Sequence, residues 1–294
     1  MRKIQIVIFL LSLVVLSGCE KKEEKLNQKV EKNFVQRVVA LSPAAGEILF
    51  AVGAGEQVVA VSQFTDYPPE AVALPQVGGF DGKTLSMESI LSFKPDLVYM
   101  NDVMHNFMIG QLEEYGIKYY LSKAESVEGV MKEILDIGDL TGHSEKAHQV
   151  VDEMKVKIES VREKTNQQKL NQNDKEIFPS GVYWEVWNSP YMSAGGSSFI
   201  TDVIALAGGK NIFDDMQDAY PIVSEEAIIK RSPDVILLPF SSGVSADDVC
   251  ARIGWGDVSA VVNSRIYVVD DNVFTRPGPR IADVIEEISQ MLQN

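Results

Sequence analysis

Histidine is scarce, with three in 294 residues. One of them, His105, stands between Met104 and Met108. Thioether and imidazole ligate haem iron in some proteins. An ordinary loop is the simpler reading of this triplet. His143 and His148 flank the start of a long helical pattern, and no spaced His/Asp set accompanies them. Bare zinc or manganese is therefore not expected, and no metal is assigned to the chain. Nucleophile elbows, phosphate loops ending in Lys-Ser or Lys-Thr, and His-Glu-x-x-His are all missing, so neither catalysis nor a resident cofactor is expected. What recurs instead is aromatic. Phe64, Tyr67, Phe80, Phe107, Trp187, Tyr191, Tyr220, Phe240 and Phe274 fall in or beside segments between apolar runs. Rings supply wide apolar walls at low entropic cost, which is what a large flat macrocycle requires. About half of them are expected to pack their own loops instead. Arg276 could pair with an anionic ligand, whereas Arg280 stands where it would brace the helix opening at Ile281.

These side chains need a scaffold that gathers them. Val38–Leu41, Val58–Val61, Leu97–Met100 and Ile117–Leu121 read as strands. Helices are expected at 44–52, 87–92, 107–115 and 127–141, with Ser42 as an N-cap and Gly53 as a C-cap. The second half repeats the plan, with strands at 181–187, 235–238 and 266–269 and helices at 199–207, 225–231 and 281–293. Ser86-Met87-Glu88 before Pro95-Asp96 matches Ser224-Glu225-Glu226 before Pro233-Asp234 in register, and Glu47-Ile48-Leu49 before Gly53 matches Asp202-Val203-Ile204 before Gly208. Strands alternating with helices imply parallel sheets with covered faces. The expected fold is α/β: two similar Rossmann-like lobes, residues 36–143 and 172–294.

Between the lobes, Ala147, Val150, Val151, Met154, Ile158 and Val161 form one helical face without Gly or Pro. A single helix over 144–171, roughly 40 Å long at ~1.5 Å per residue, would bridge both lobes. Such a bridge permits rocking rather than wide hinge bending. In open α/β sheets ligands bind beyond the carboxyl ends of the strands. Those ends carry Phe64, Tyr67, Phe80, Asn101, His105, Trp187, Tyr191, Tyr220, Phe240, Phe274 and Arg276, which are the candidate ligand-binding residues.

The start of the chain speaks to compartment. Arg2 and Lys3 precede an apolar stretch to Leu16 that is too short to span a membrane. Leu16-Ser17-Gly18-Cys19 resembles a bacterial lipobox, which makes 1–18 a signal peptide and Cys19 the lipidated residue. Residues 19–35, rich in Glu and Lys, read as a tether. Cys250, in an apolar pattern, is expected to be a buried thiol. The net charge of −15 disfavours nucleic acid as a partner.

Taken together, Arg37–Pro43, Asp66-Tyr67-Pro68-Pro69, Val77–Phe80, Lys94–Val98, Gly208–Phe213 and Pro277–Ile281 resemble the ABC-transporter solute-binding proteins with a helical backbone, the class III periplasmic binding proteins. The similarity is greatest to the branch serving iron-siderophores, haem and cobalamin. Tyr67-Pro68-Pro69 and Asn188-Ser189-Pro190-Tyr191 look most like the cobalamin binders. The resemblance implies a monomeric receptor, lipid-anchored on the extracytoplasmic face of the cell membrane. It would capture a chelated-metal compound, cobalamin before haem or ferric siderophore, and deliver it to a permease dimer with ATPase subunits. It also implies one docking glutamate per lobe, carried here by Glu88 and Glu226. The rival readings are an exported α/β enzyme and a surface adhesion module. Duplicated lobes together with the lipobox weigh against both.

Overall fold

The computed structural model describes residues 34–79, 83–171 and 180–293. Signal, lipidation and most tether assignments, Cys19 included, therefore lie outside the described residues, as does Phe80. Val35, assigned above to the tether, is already buried, and its amide donates to the Leu140 carbonyl at 3.0 Å. The folded part thus begins before residue 36.

The first lobe runs β1 (Val38–Ala40), α1 (Pro43–Ala51), β2 (Val58–Val61), α2 (Pro69–Val72), α3 (Met87–Ser92), β3 (Leu97–Asn101), α4 (Asp102–His105), α5 (Ile109–Glu114), β4 (Lys118–Ser122) and α6 (Val127–Thr141). Its strands are all parallel, in the order β2-β1-β3-β4. Alternation divides their side chains between two apolar layers. Val38 and Ala40 enter a core with α1 and α6, while Val39 and Leu41 enter another with Ile90 of α3 and Leu112 of α5. Ser42 caps α1 by accepting from the Ala45 amide, and Pro43 occupies the first turn, where a missing N–H costs nothing.

After α7 (Ser144–Asn171) the plan recurs. The second lobe runs β5 (Gly181–Asn188), β6 (Tyr191–Ser193), α8 (Phe199–Leu206), β7 (Lys210–Asn211), α9 (Glu225–Arg231), β8 (Val235–Pro239), α10 (Ala246–Cys250), α11 (Ser259–Val262), β9 (Ile266–Val269), α12 (Asp271–Phe274) and α13 (Ile281–Gln293). Strands β7, β5, β8 and β9 lie parallel in that order, and β6 folds back antiparallel on β5. The repeat read from the sequence is therefore structural. Ser86 and Ser224 cap α3 and α9 through the amides of Ser89 and Ala227. Asp96 accepts the Gln36 and Arg37 amides at 2.8 and 2.9 Å, and Asp234 accepts the Gly181 amide at 2.8 Å. In each lobe a Pro-Asp aspartate holds the entry of the central strand.

Several short elements replace expected loops. Helices α2, α4, α10, α11 and α12 are single turns, and the helix expected over 107–115 divides into a 3₁₀ turn at Asn106–Met108 and α5. One turn is too short to print a hydrophobic period. Cys250, expected inside, is exposed; it ends the one-turn helix α10 and turns outward while Val249 turns inward.

Helix α7 packs against α6 on one side and α13 on the other. Ala147, Val150, Val151, Met154 and Val161 are buried along it, with Ile158 half-buried. One apolar core consequently runs from β1 and β3 through α1, α6 and α7 to α8, α13, β5 and β8. Lys164–Glu286, at 3.1 Å, and Lys157–Asp283 add exposed ion pairs between α7 and α13.

Candidate functional site

The carboxyl ends of both sheets display large rings. Phe64 and Tyr67 follow β2, Trp187 is the penultimate residue of β5, Tyr220 precedes α9 and Phe240 follows β8; all five are exposed, Phe240 to 75%. Trp187 Nε1 donates to the Ser189 carbonyl at 2.9 Å, which fixes the ring on its own hairpin. Tyr67 lies under the Arg280 guanidinium, 4.0 Å from ring centre to Cζ. Tyr191 is half-buried, tilted against Trp255, with Arg252 5.2 Å over its face and its hydroxyl 3.4 Å from Glu225.

Four candidates are placed otherwise. Phe274, the last residue of α12, is 3% exposed and stacks on Trp184 at 6.3 Å, so it belongs to the core. His105 is buried: its Nδ1 accepts the Asn101 amide at 3.1 Å, and burial lowers its pKa to about 4. Asn101 uses its side-chain oxygen to cap α4, accepting from Val103 and Met104. This one-turn helix turns His105 inward and leaves Val103, Met104 and Phe107 exposed; Met108 is buried. The apolar surface of this segment thus includes Val103, which lay in no recognisable pattern.

Arg276 is also buried, and it is paired within the protein. It donates to Asp66 Oδ1 at 2.6 Å and lies 3.8 Å from Glu47 Oε2. Arg280, expected to brace its own helix, instead reaches Glu47 on α1 with Nε at 3.0 Å and Nη2 at 2.7 Å. Burial works against the Arg280 charge, but the hydrogen bond and charge of Glu47 hold its pKa above the usual value. Gly278 lets the backbone close on Glu47, since a Cβ there would lie 2.8 Å from Oε1. Two acids of the first lobe and two arginines of the second thus meet where the lobes join.

The repeat has a second cross-lobe contact. Asp202 of α8, the counterpart of Glu47, accepts the Val127 amide at the start of α6 at 2.7 Å. Each acid meets the N-terminal approach of the other lobe's last helix, where partial positive charge collects. The sequence carried a signal for Glu47: a lone carboxylate in the apolar run Ala44–Ala51, in register with Asp202.

Glu88 and Glu226 occupy the same place in the two lobes, second in α3 and α9, and both are exposed. Glu225 beside the latter turns inward, accepting from Trp255 Nε1 at 2.8 Å. Among the described residues no group of three or more His, Cys, Asp or Glu could hold a metal ion.

The periplasmic binding protein family matches residues 38–273. The uncharacterized ABC transporter substrate-binding lipoprotein YvrC of Bacillus subtilis is 31% identical, over 96% of this chain and 94% of its own length. The vitamin B12-binding protein of Vibrio campbellii is 28% identical, over 87% of this chain and 88% of its own. Among solved structures, the periplasmic vitamin B12 binding protein BtuF of Vibrio cholerae superposes with a TM-score of 0.74 at 25% identity, covering 88% of this chain and 97% of that one.

Proposed function

We propose a ligand and a delivery route from one premise: the chain belongs to the periplasmic binding protein family, the substrate-binding components of ABC importers, and is not an enzyme. Its ligand is a chelated-metal compound, a corrinoid such as cobalamin before haem or a ferric siderophore. The observation that carries this is the set of exposed rings at the strand ends of both lobes, Phe64, Tyr67, Trp187, Tyr220 and Phe240. Exposed apolar area of this kind marks a binding surface, and rings from two sides suit a broad flat ligand. The names of the Vibrio relatives favour the corrinoid. Titration calorimetry with cyanocobalamin, haemin and a ferric siderophore tests the reading. Heat with one of them is expected; heat only with zinc or manganese chloride overturns it.

The same reading makes the protein a monomer tethered through acylated Cys19, with 1–18 removed as a signal peptide. Labelling with a radioactive fatty acid, lost in Cys19→Ala, checks the anchor. Glu88 and Glu226 are the docking residues, one for each half of a two-fold permease. Rim charges of this type govern orientation and association rate more than affinity. Glu88→Gln with Glu226→Gln should keep ligand binding and abolish uptake. Normal uptake by the double variant at low receptor concentration would return both residues to simple helix-terminus stabilisation.

A further inference from the structure

The loops at the carboxyl ends of the strands carry four basic side chains, and none is uncommitted. Lys123 pairs with Asp102 at 3.4 Å, and Lys83 also has a partner. Arg280 is held by Glu47, and Arg276 by Asp66. In this last pair the arginine is the inner member: its side chain is 8% exposed, whereas that of Asp66 is 45% exposed. An arriving ligand meets the carboxylate of Asp66, not the guanidinium behind it. Asp218, Asp270 and Asp271 add negative charge to the same set of loops. Asp271 accepts the Ser241 amide and hydroxyl at 3.0 and 2.7 Å, and Asp270 accepts the Asn272 amide. All three partners are neutral donors, which leave the acidic charge uncompensated.

We infer that the cleft discriminates by peripheral charge, admitting chelates rimmed with uncharged hydrogen-bond donors and rejecting those rimmed with carboxylates, and that Asp66 sets this preference by covering Arg276. The inference rests on the chelated-metal reading above and narrows it. An amide N–H of a ligand can donate to the outer oxygen of Asp66, Oδ2, while Oδ1 stays on Arg276. A ligand carboxylate has no such option. It must either sit beside a like charge in a partly desolvated place or displace Asp66 from an arginine that Glu47 already half-neutralises. Both routes cost binding free energy.

Three probes separate charge from shape: cyanocobalamin, neutral overall and rimmed with amides; haemin, a dicarboxylate; and haemin dimethyl ester, the same ring without the charges. Wild-type protein should bind cyanocobalamin, and should bind the ester at least about tenfold more tightly than haemin, the scale of one charge-assisted hydrogen bond. Asp66→Asn exposes the Arg276 charge at nearly constant shape. It should tighten haemin about tenfold and leave the ester within about threefold. Adding Arg276→Gln to Asp66→Asn should remove that gain. Equal affinity of wild type for haemin and its ester overturns the inference and leaves the ligand class standing. So does an Asp66→Asn protein, folded by circular dichroism, that gains nothing for haemin. If no probe binds wild type, the inference fails, and the ferric siderophore titration described above decides whether the ligand class fails with it. The wild-type comparison decides the matter even if the variant does not fold.

Discussion

The two lobes share a wiring plan and differ in what they fill it with. In both, a serine caps the helix before a Pro-Asp, the aspartate holds the entry of the lobe's central strand, and an acid on the first helix crosses to the other lobe. These devices satisfy backbone groups or helix ends that any such lobe leaves open, so both copies keep them. The interiors diverge. The second lobe neutralises its buried Glu185 with a bidentate Arg252 at 2.6 and 2.7 Å. The first lobe buries Glu133 without an arginine, on hydroxyls of Tyr99 and, at 3.0 Å, Ser122, and burial raises its pKa. It buries His105 as well. The first lobe therefore buries two titratable groups whose pKa values burial shifts, whereas the second pairs its buried acid with an arginine, and both lobes display rings at their strand ends.

That contrast can be attacked at the crossed acids first. Glu47→Ala leaves half-buried Arg280 without its partner and takes a nearby carboxylate from buried Arg276, and should cost about 2–4 kcal/mol in urea unfolding. Asp202→Ala removes one helix-end acceptor and should cost about 0.5–2 kcal/mol. Equal losses would mean that the two crossings are equivalent after all. By comparison Asp283→Asn, on an exposed pair, should stay within about 1 kcal/mol.

The two phenylalanines of the second lobe come next. Phe274→Ala should destabilise the protein by about 3–5 kcal/mol, as a core truncation. Phe240→Ala should leave unfolding unchanged and weaken ligand binding roughly tenfold. The reverse pattern would move Phe274 into the site.

The pH response is a smaller effect with a definite sign. His105 has a pKa lowered to about 4, so between pH ~6.5 and 4 the unfolded chain takes up a proton that the folded one refuses. Stability from this group is present above pH ~6.5 and lost as pH falls toward 4. Glu133 slopes the other way, since its raised pKa favours the folded state in acid and withdraws that support as pH rises. His105→Asn should flatten the loss between pH 6.5 and 4 in thermal unfolding; an unchanged slope would assign it to other groups. The smallest expected effect is lobe motion. With α7 packed on both α6 and α13, ligand should change the radius of gyration by less than solution scattering resolves, and a clear contraction would break the rocking picture.

Much of this was legible from the chain. The parallel strands, the bridging helix and the repeat followed from apolar runs and from serine, proline and glycine at fixed offsets, because those signals are local. Side-chain directions were read less well. Phe274, His105, Asn101 and Arg276 were placed at the strand ends correctly, but their directions depend on one-turn helices and on partners far along the chain. Nothing near Arg276 in sequence announces Asp66, 210 residues away. The exposure of Phe64, Tyr67, Trp187, Tyr220 and Phe240 was easier to foresee, because a ring flanked by polar and turn residues has little to pack against.

The joint between Glu47 and Arg280 spans 233 residues of chain. Contacts of such sequence separation form late, since the chain ends must meet before the contact can stabilise anything. Helix α13 also closes the core that α1, α6 and α7 began. As the chain emerges from its N-terminus, the first lobe can assemble its sheet, but α7 keeps an uncovered apolar face until the last helix arrives. A truncated product ending before Arg276 would thus present an open apolar wall and an unpaired Glu47, a half-built surface suited to chaperone or protease. Unfolding of the complete chain should likewise be one cooperative event, with no stage at which a single lobe stands alone.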